Sequence, residues 1–339
     1  MFDKNYSAHF LKILILLLIM SFAHADEISI IAVGDIMLGR HIAKDMKKAG
    51  KGYSHPYKLM KKMISSADIA FANLECPVSA KGATTGKKYS FCAGTRSLEG
   101  LLYAGFDVLS LANNHIMDYG PAAFSETLKL LKKNKITVVG AGNNSKEAKR
   151  PGLFKFGNTR IAFLAYDCTF RWSFATDKKA GTAPGRIKEI QQTISEVKKV
   201  SDIIIVSFHW GNEYAGKASK YQKNLAHKTI DAGADIIIGH HAHVIQEIEL
   251  YKEKPIIYGL GNFIFDQAFG DTGKGLAVKF IIRHNKLNKV VCVPITRNYD
   301  KYYPRPADDK MRKEIESYIL KISDFSNVKH KIDDFLVFE

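Results

Sequence analysis

The chain has 339 residues, enough for one large α/β domain or two modest ones. Its 46% hydrophobic and 25% charged content is that of a folded globular protein and excludes bulk disorder. The formal net charge of +16 suits nucleic acid, an anionic membrane or an acidic polymer as partner. It equally suits a solvated surface, because the lysines fall mostly as pairs on expected helix faces, such as Lys61-Lys62 and Lys132-Lys133.

In chain order, residues 1–25 have the form of a signal peptide. Lys4 and Lys12 make a weakly positive start, Ile13 to Phe22 an apolar stretch, and Ala23-His24-Ala25 a small-x-small cleavage pattern. The apolar run falls short of the about 20 residues that a comfortable transmembrane helix needs. The expectation is export across the inner membrane to the periplasm or cell surface, with membrane anchoring if the segment stays uncleaved. From Glu27 onward, short β-branched runs alternate with amphipathic segments. Strands are expected at 28–33, 69–73, 108–112, 137–140, 161–166, 203–208 and 236–239. Helices are expected at 41–48, 57–66, 124–133, 187–200 and 221–232, which argues α/β with buried strands. Between 245 and 295 the strands follow one another without helices, so antiparallel pairing is expected there. One domain over 26–300 is expected, then residues 301–339 with a helix near 309–322 and a charged tail.

Four cysteines, Cys76, Cys92, Cys168 and Cys292, permit three full pairings in an oxidising compartment. Cys76 and Cys92 stand at opposite ends of one Gly- and Lys-rich loop and form the expected disulfide. Cys168 and Cys292 lie in or after β-like runs and read as buried thiols. No CxxC pair occurs, which argues against a thiolate zinc site.

The polar residues fall where strands end. Asp35 follows the first strand in AVGDIMLGR, Glu75 the second in FANLECP, and Asn114-His115 the third in LANNHIMDYG. His209 ends a later strand in IVSFHWGNEY, and His241 and His243 follow another in IIIGHHAHV, with His240 a competing member of that run. Strand C-termini line the ligand crevice of an open α/β sheet. Singly, each residue reads as a cap, a turn former or a surface side chain. Together they offer carboxylate, amide and imidazole donors at one edge, the set that a divalent metal requires.

The ordered motifs GD, NLE, NNHxxDYG, HWGxEY, GHHxH and GLGNFxFD, from Gly34 to Asp266, resemble the CapA family of capsule and poly-γ-glutamate synthesis proteins. That family is similar to calcineurin-like metallophosphoesterases. The resemblance implies a metallophosphatase-like layered α/β sandwich with an antiparallel C-terminal part and one or two divalent ions (Mn, Fe, Zn or Mg). By that match Asp35 bridges two metals, and Glu75, Asn114, His209, His241 and His243 are further ligands. His115 takes the place of the general acid, oriented by Asp118. His240, Glu213, Asn262 and Asp266 support ligands or substrate. Met37 stands where the active phosphoesterases carry a histidine, and Glu75 where they carry Asp, so a full two-metal site is short of a ligand.

Two functions remain open at this point: a metal-dependent hydrolase or transferase, or a non-catalytic assembly and export protein with an anionic polymer on its basic surface. A capsule or envelope polymer is the implied partner in both, with a membrane synthesis complex as a further one. Nucleic acid is not, since no recognition module or aromatic-and-basic stacking motif accompanies the charge. Amino-terminal sequencing of the exported protein should begin at Asp26; a chain beginning at Met1 would refute cleavage.

Overall fold

A computed structural model describes residues 27–48, 52–267, 269–297, 302–324, 330–333 and 335–338. The expected signal peptide lies outside the described residues.

The strands are β1 (Glu27–Ile36), β2 (Ile69–Leu74), β3 (Val108–Ser110), β4 (Thr137–Val139), β5 (Ala141–Gly142), β6 (Gly152–Phe156), β7 (Thr159–Asp167), β8 (Gly181–Thr182) and β9 (Ile203–His209). There follow β10 (Ile236–His240), β11 (Ile248–Tyr251), β12 (Lys254–Ile257), β13 (Asn262–Ile264), β14 (Lys274–Arg283), β15 (Lys286–Arg297), β16 (Pro304–Pro306), β17 (His330–Asp333) and β18 (Phe335–Phe338). One sheet runs β17-β18-β15-β14-β1-β2-β3-β4, with β13 beside β1 and β16 beside β15; a second runs β11-β12-β10-β9-β7-β6. β5 and β8 form a short separate ladder.

Strand period builds the layers. Along β1, Ile30 and Ala32 face the second sheet, while Ile31 and Val33 face helices on the other side. Along β9, Ile203 and Ile205 join that same inter-sheet core, while Ile204 and Val206 pack outward. Phe71 of β2 stacks on Phe163 of β7 at 5.7 Å between ring centroids, across the seam. Outside the first sheet lie the helices Arg40–Met46, Lys61–Ser65, Leu98–Ala104 and Gly120–Lys133; outside the second lie Ile187–Val197 and Lys220–Ala232. The result is a layered helix–sheet–sheet–helix sandwich.

The expected strands and helices occur in place, including the last helix at Asp309–Ile322. The helix expected over 57–66 is a 3-10 turn at His55–Tyr57 followed by Lys61–Ser65. β14 and β15 pair antiparallel as expected. β11 and β12 also pair antiparallel as expected, and β12 in addition runs parallel to β10, because β11 passes to the outer edge and leaves the place beside β10 for β12. β13 likewise lies parallel to β1. Leu98–Ala104 is a helix that the sequence pattern left unassigned, closed by Gly105 at φ 89°. In the charged tail, β18 pairs with β15.

All four cysteines are free thiols, so the expected Cys76–Cys92 bridge is not formed. The two sulfurs have different backbone partners: Leu38 N donates to Cys76 Sγ at 3.3 Å, and the Cys92 thiol faces Ser79 O at 3.8 Å.

Two glycines let backbone segments close on the strand ends. A Cβ at Gly34 would stand 1.9 Å from Gly261 O, and one at Gly239 1.9 Å from Tyr258 O. Gly34→Ala should therefore lower stability by roughly 1–3 kcal/mol, read as a shift of the urea midpoint. An unchanged midpoint would refute the close approach.

Candidate metal centre

Each donor is placed by a strand end. Asp35 lies near the end of β1, in register with Asn73 of β2 on one side and Asn262 of β13 on the other. Glu75 directly follows β2, and the segment 113–118 follows β3. From the second sheet, His209 closes β9 in register with His240 of β10. The turn after β10 carries His241 at φ 91° and His243 at φ 58°, left-handed conformations that non-glycine residues rarely adopt. The tight turn brings alternate imidazoles back toward the seam between the sheets.

Two groups of ligand atoms result, each within 4.8 Å: Glu75, His241 and His243; and Asp35, Glu75 and His209. Glu75 is common to both. The resemblance gives Asp35 the bridging place, but Asp35 is already engaged. Its Oδ1 accepts from Asn73 Nδ2 at 2.8 Å and lies 3.1 Å from His240 Nδ1; its Oδ2 accepts from His241 N at 3.2 Å. Glu75, by contrast, is wholly buried and neither of its oxygens has a hydrogen-bond partner. Its Oε1 is 3.5 Å from His209 Nε2, 3.9 Å from His243 Nε2 and 4.0 Å from His115 Nε2. Asn114 Oδ1 lies 2.8 Å from His209 Nε2, and Asn262 Oδ1 2.9 Å from His243 Nδ1.

The electrostatics match a cation site. Burial, then the charges of Asp35, Glu213 and Asp118, push the Glu75 carboxyl well up. Burial also tends to raise Asp35, but hydrogen bonds from His240 and His243 outweigh it and hold that carboxyl well below its usual range. Burial, reinforced by His241, pushes His209 well down; burial and His243 push His241 down to about 3. These imidazoles are neutral at pH 7, with lone pairs available. A bare buried carboxylate facing neutral imidazoles fits a divalent ion, which would supply the missing charge and coordination.

His115 belongs to a separate arm. Its Nδ1 is 2.6 Å from Asp118 Oδ2, and Asp118 also accepts from Phe91 N at 2.9 Å and Lys87 Nζ at 2.7 Å. The Phe91 ring lies against the imidazole at 4.0 Å. Asp266 is more remote and binds Arg40 Nε at 3.1 Å. Glu213 is exposed and reaches the centre only through its charge. Met37 is buried among the helix-side core residues, its sulfur accepting from Gly39 N at 3.0 Å. Sequence reasoning assigned no site role to Asn73, Lys87, Phe91 or Asn113. Asn113 does make the turn, accepting from His115 N and Ile116 N, but it also donates to Asn73 Oδ1 at 3.0 Å. An amide one residue before a ligand is a signal that could have found it.

The model of the family described as bacterial capsule synthesis protein PGA_cap matches residues 29–267. The chain belongs to this family. It is 33% identical over 313 residues to the PGA biosynthesis protein CapA of Bacillus subtilis strain 168, covering 91% of this chain and 81% of that one. It is 32% identical over 297 residues to the capsule biosynthesis protein CapA of Bacillus anthracis, covering 85% and 71%. The fold is of the metallophosphoesterase type. A Staphylococcus aureus protein described as a candidate 5'-nucleotidase superposes with TM-score 0.52 at 17% identity, over 86% of this chain and 58% of that one. A hypothetical protein from Thermus thermophilus superposes with TM-score 0.51 at 16% identity, over 79% and 98%.

His209→Ala and Glu75→Gln should each abolish retention of a divalent ion through gel filtration, measured by elemental analysis. Retention at the parent level by both variants would refute the centre.

Proposed function

We propose that this family member is an exported, metal-dependent hydrolase or transferase acting on a capsule or poly-γ-glutamate-type polymer at the cell envelope. The observation that carries the reading is the Glu75 carboxylate, buried with both oxygens bare and shared by two ligand groups. Asp35, Glu75, Asn114, His209, His241 and His243 would hold the ion. Mixed oxygen and imidazole donors without thiolate favour Mn, Fe or Zn over Mg. When bound, such an ion supplies Lewis acidity toward an ester, amide or phosphoryl oxygen.

The remaining chemistry belongs to the chain. Asp118 holds the Nδ1 proton of His115 and so fixes the tautomer and ring orientation, leaving Nε2 on the Glu75 side. Lys87 and Phe91 N fix Asp118 in turn. Once Nε2 has also taken up a proton, the imidazolium, with Asp118 against its Nδ1–H, gives that Nε2 proton to a leaving group as general acid and returns to the neutral Nδ1–H form, without being an ion ligand. The walls of the centre, Phe91 and Phe265, are apolar and limit water.

His115→Ala should keep the ion and lower turnover of a γ-glutamyl amide or phosphodiester substrate by roughly 10²–10⁴-fold. In a producing strain lacking its own copy of the gene, that variant should fail to restore polymer. Polymer at the parent level would sink the catalytic role and leave a non-catalytic assembly protein.

A further inference from the structure

Away from the centre, three cavities of about 450, 450 and 460 Å³ adjoin along one flank. Arg150 lines both the first and the second, and Ser145, Lys149, Asp177 and Glu189 line both the first and the third. They therefore form one groove, running from the end of β4 past the helices Ser145–Ala148 and Ile187–Val197 to the segment 171–186. Basic side chains outnumber carboxylates along its walls. Lys149 and Arg186 are both paired with Glu189, at 3.2 and 3.0 Å. Lys146, Arg150 and Arg171 are exposed and make no ion pair with a described carboxylate. Two carboxylates of the groove, Asp177 and Glu196, are likewise exposed and in no ion pair among the described residues.

At one end the groove reaches Arg171, in the segment that also meets the His115 arm. Arg171 stands between Phe170 and Trp172, whose rings lie 5.2 and 5.4 Å from Lys87 Nζ. That same ammonium donates to Asn114 O and to Asp118 Oδ1, both at 2.7 Å. A chain lying in the groove would be led toward the arm that carries His115.

The geometry points to a binding track for a linear polyamide bearing side-chain carboxylates, along the groove from Arg150 to Arg171. This rests on the proposed function and adds where, and by what chemistry, the polymer is held. Free cations suit the pendant carboxylates. Free carboxylates suit amide N–H donors, which a polyphosphate or a nucleic-acid backbone lacks. For such a phosphate chain, Asp177 and Glu196 would be repulsive.

The test is calorimetric binding of poly-γ-glutamate to the full chain, with thermal midpoint and metal content as checks on folding and on the centre. Combined Lys146→Gln, Arg150→Gln and Arg171→Gln should weaken binding by roughly tenfold, since three exposed charges contribute a few-fold each. Combined Lys58→Gln, Lys62→Gln and Lys228→Gln, exposed lysines outside the cavities, should change it less than about twofold. Combined Asp177→Ala and Glu196→Ala should also weaken it, whereas charge alone would tighten it. The track is overturned if the control lysines matter as much as the groove cations, or if removing the two carboxylates tightens binding. It is overturned too if polyphosphate or phosphatidylglycerol vesicles bind as strongly as poly-γ-glutamate. These readouts are independent of ion retention, so failure of the metal centre shows separately in the elemental analysis of His209→Ala.

Discussion

Glu75 is a wholly buried carboxylate with no hydrogen-bond donor among the described residues, held where two sheets meet. Ionising it there without a cation would cost several kcal/mol, which is why burial pushes its carboxyl well up, and the surroundings must hold it in place. They do so by packing. The inter-sheet core, with Phe71 against Phe163, fixes the spacing of the sheets. Gly34 and Gly239 allow the chain beyond β12 to cross tightly over both strand ends. The left-handed turn at His241 and His243 folds back into the same space. The glycines and the left-handed turn have a local cost, and each is explained by the convergence of donors on one point.

The His115 arm is built on other principles. Its residues come from the loop after β3 and from the segment containing Lys87 and Phe91, and they are linked by hydrogen bonds rather than by a strand ladder. Asp118 has three donors about it, so it can orient the imidazole while its own charge is balanced by Lys87. On the proposed reading, the separation would let ion holding and proton transfer be lost independently. Lys87 is also where this arm meets Phe170 and Trp172, the neighbours of Arg171 in the basic groove, so groove and centre share a structural element.

The positive net charge gains meaning from its distribution. Many lysines are scattered on helix faces and are solvated. In the groove, cations in no ion pair among the described residues lie near carboxylates in none, a mixed lining that a uniformly anionic ligand would not select.

Much of this was legible in the residues. The period-2 runs marked the strands, the polar residue after each run marked the site, and the ordered motifs marked the family, because local chain geometry alone decides which residues end a strand. The sequence thereby determined that Asp35, Glu75, Asn114, His209, His241 and His243 all belong to strand ends. Only the tertiary structure decided how they meet. Asp35 and Asn114 come from one sheet and His209 from the other, and their spacing depends on inter-sheet packing over many residues. The shared place fell to Glu75 because Asp35 is taken up by Asn73, His240 and His241 N, partners whose proximity no spacing in the chain reveals. The same holds for β12 slipping in beside β10, for the Cys76 and Cys92 thiols taking separate partners, and for Lys87 beneath Phe170 and Trp172. These are long-range contacts, set by how layers stack and not by what any segment does alone.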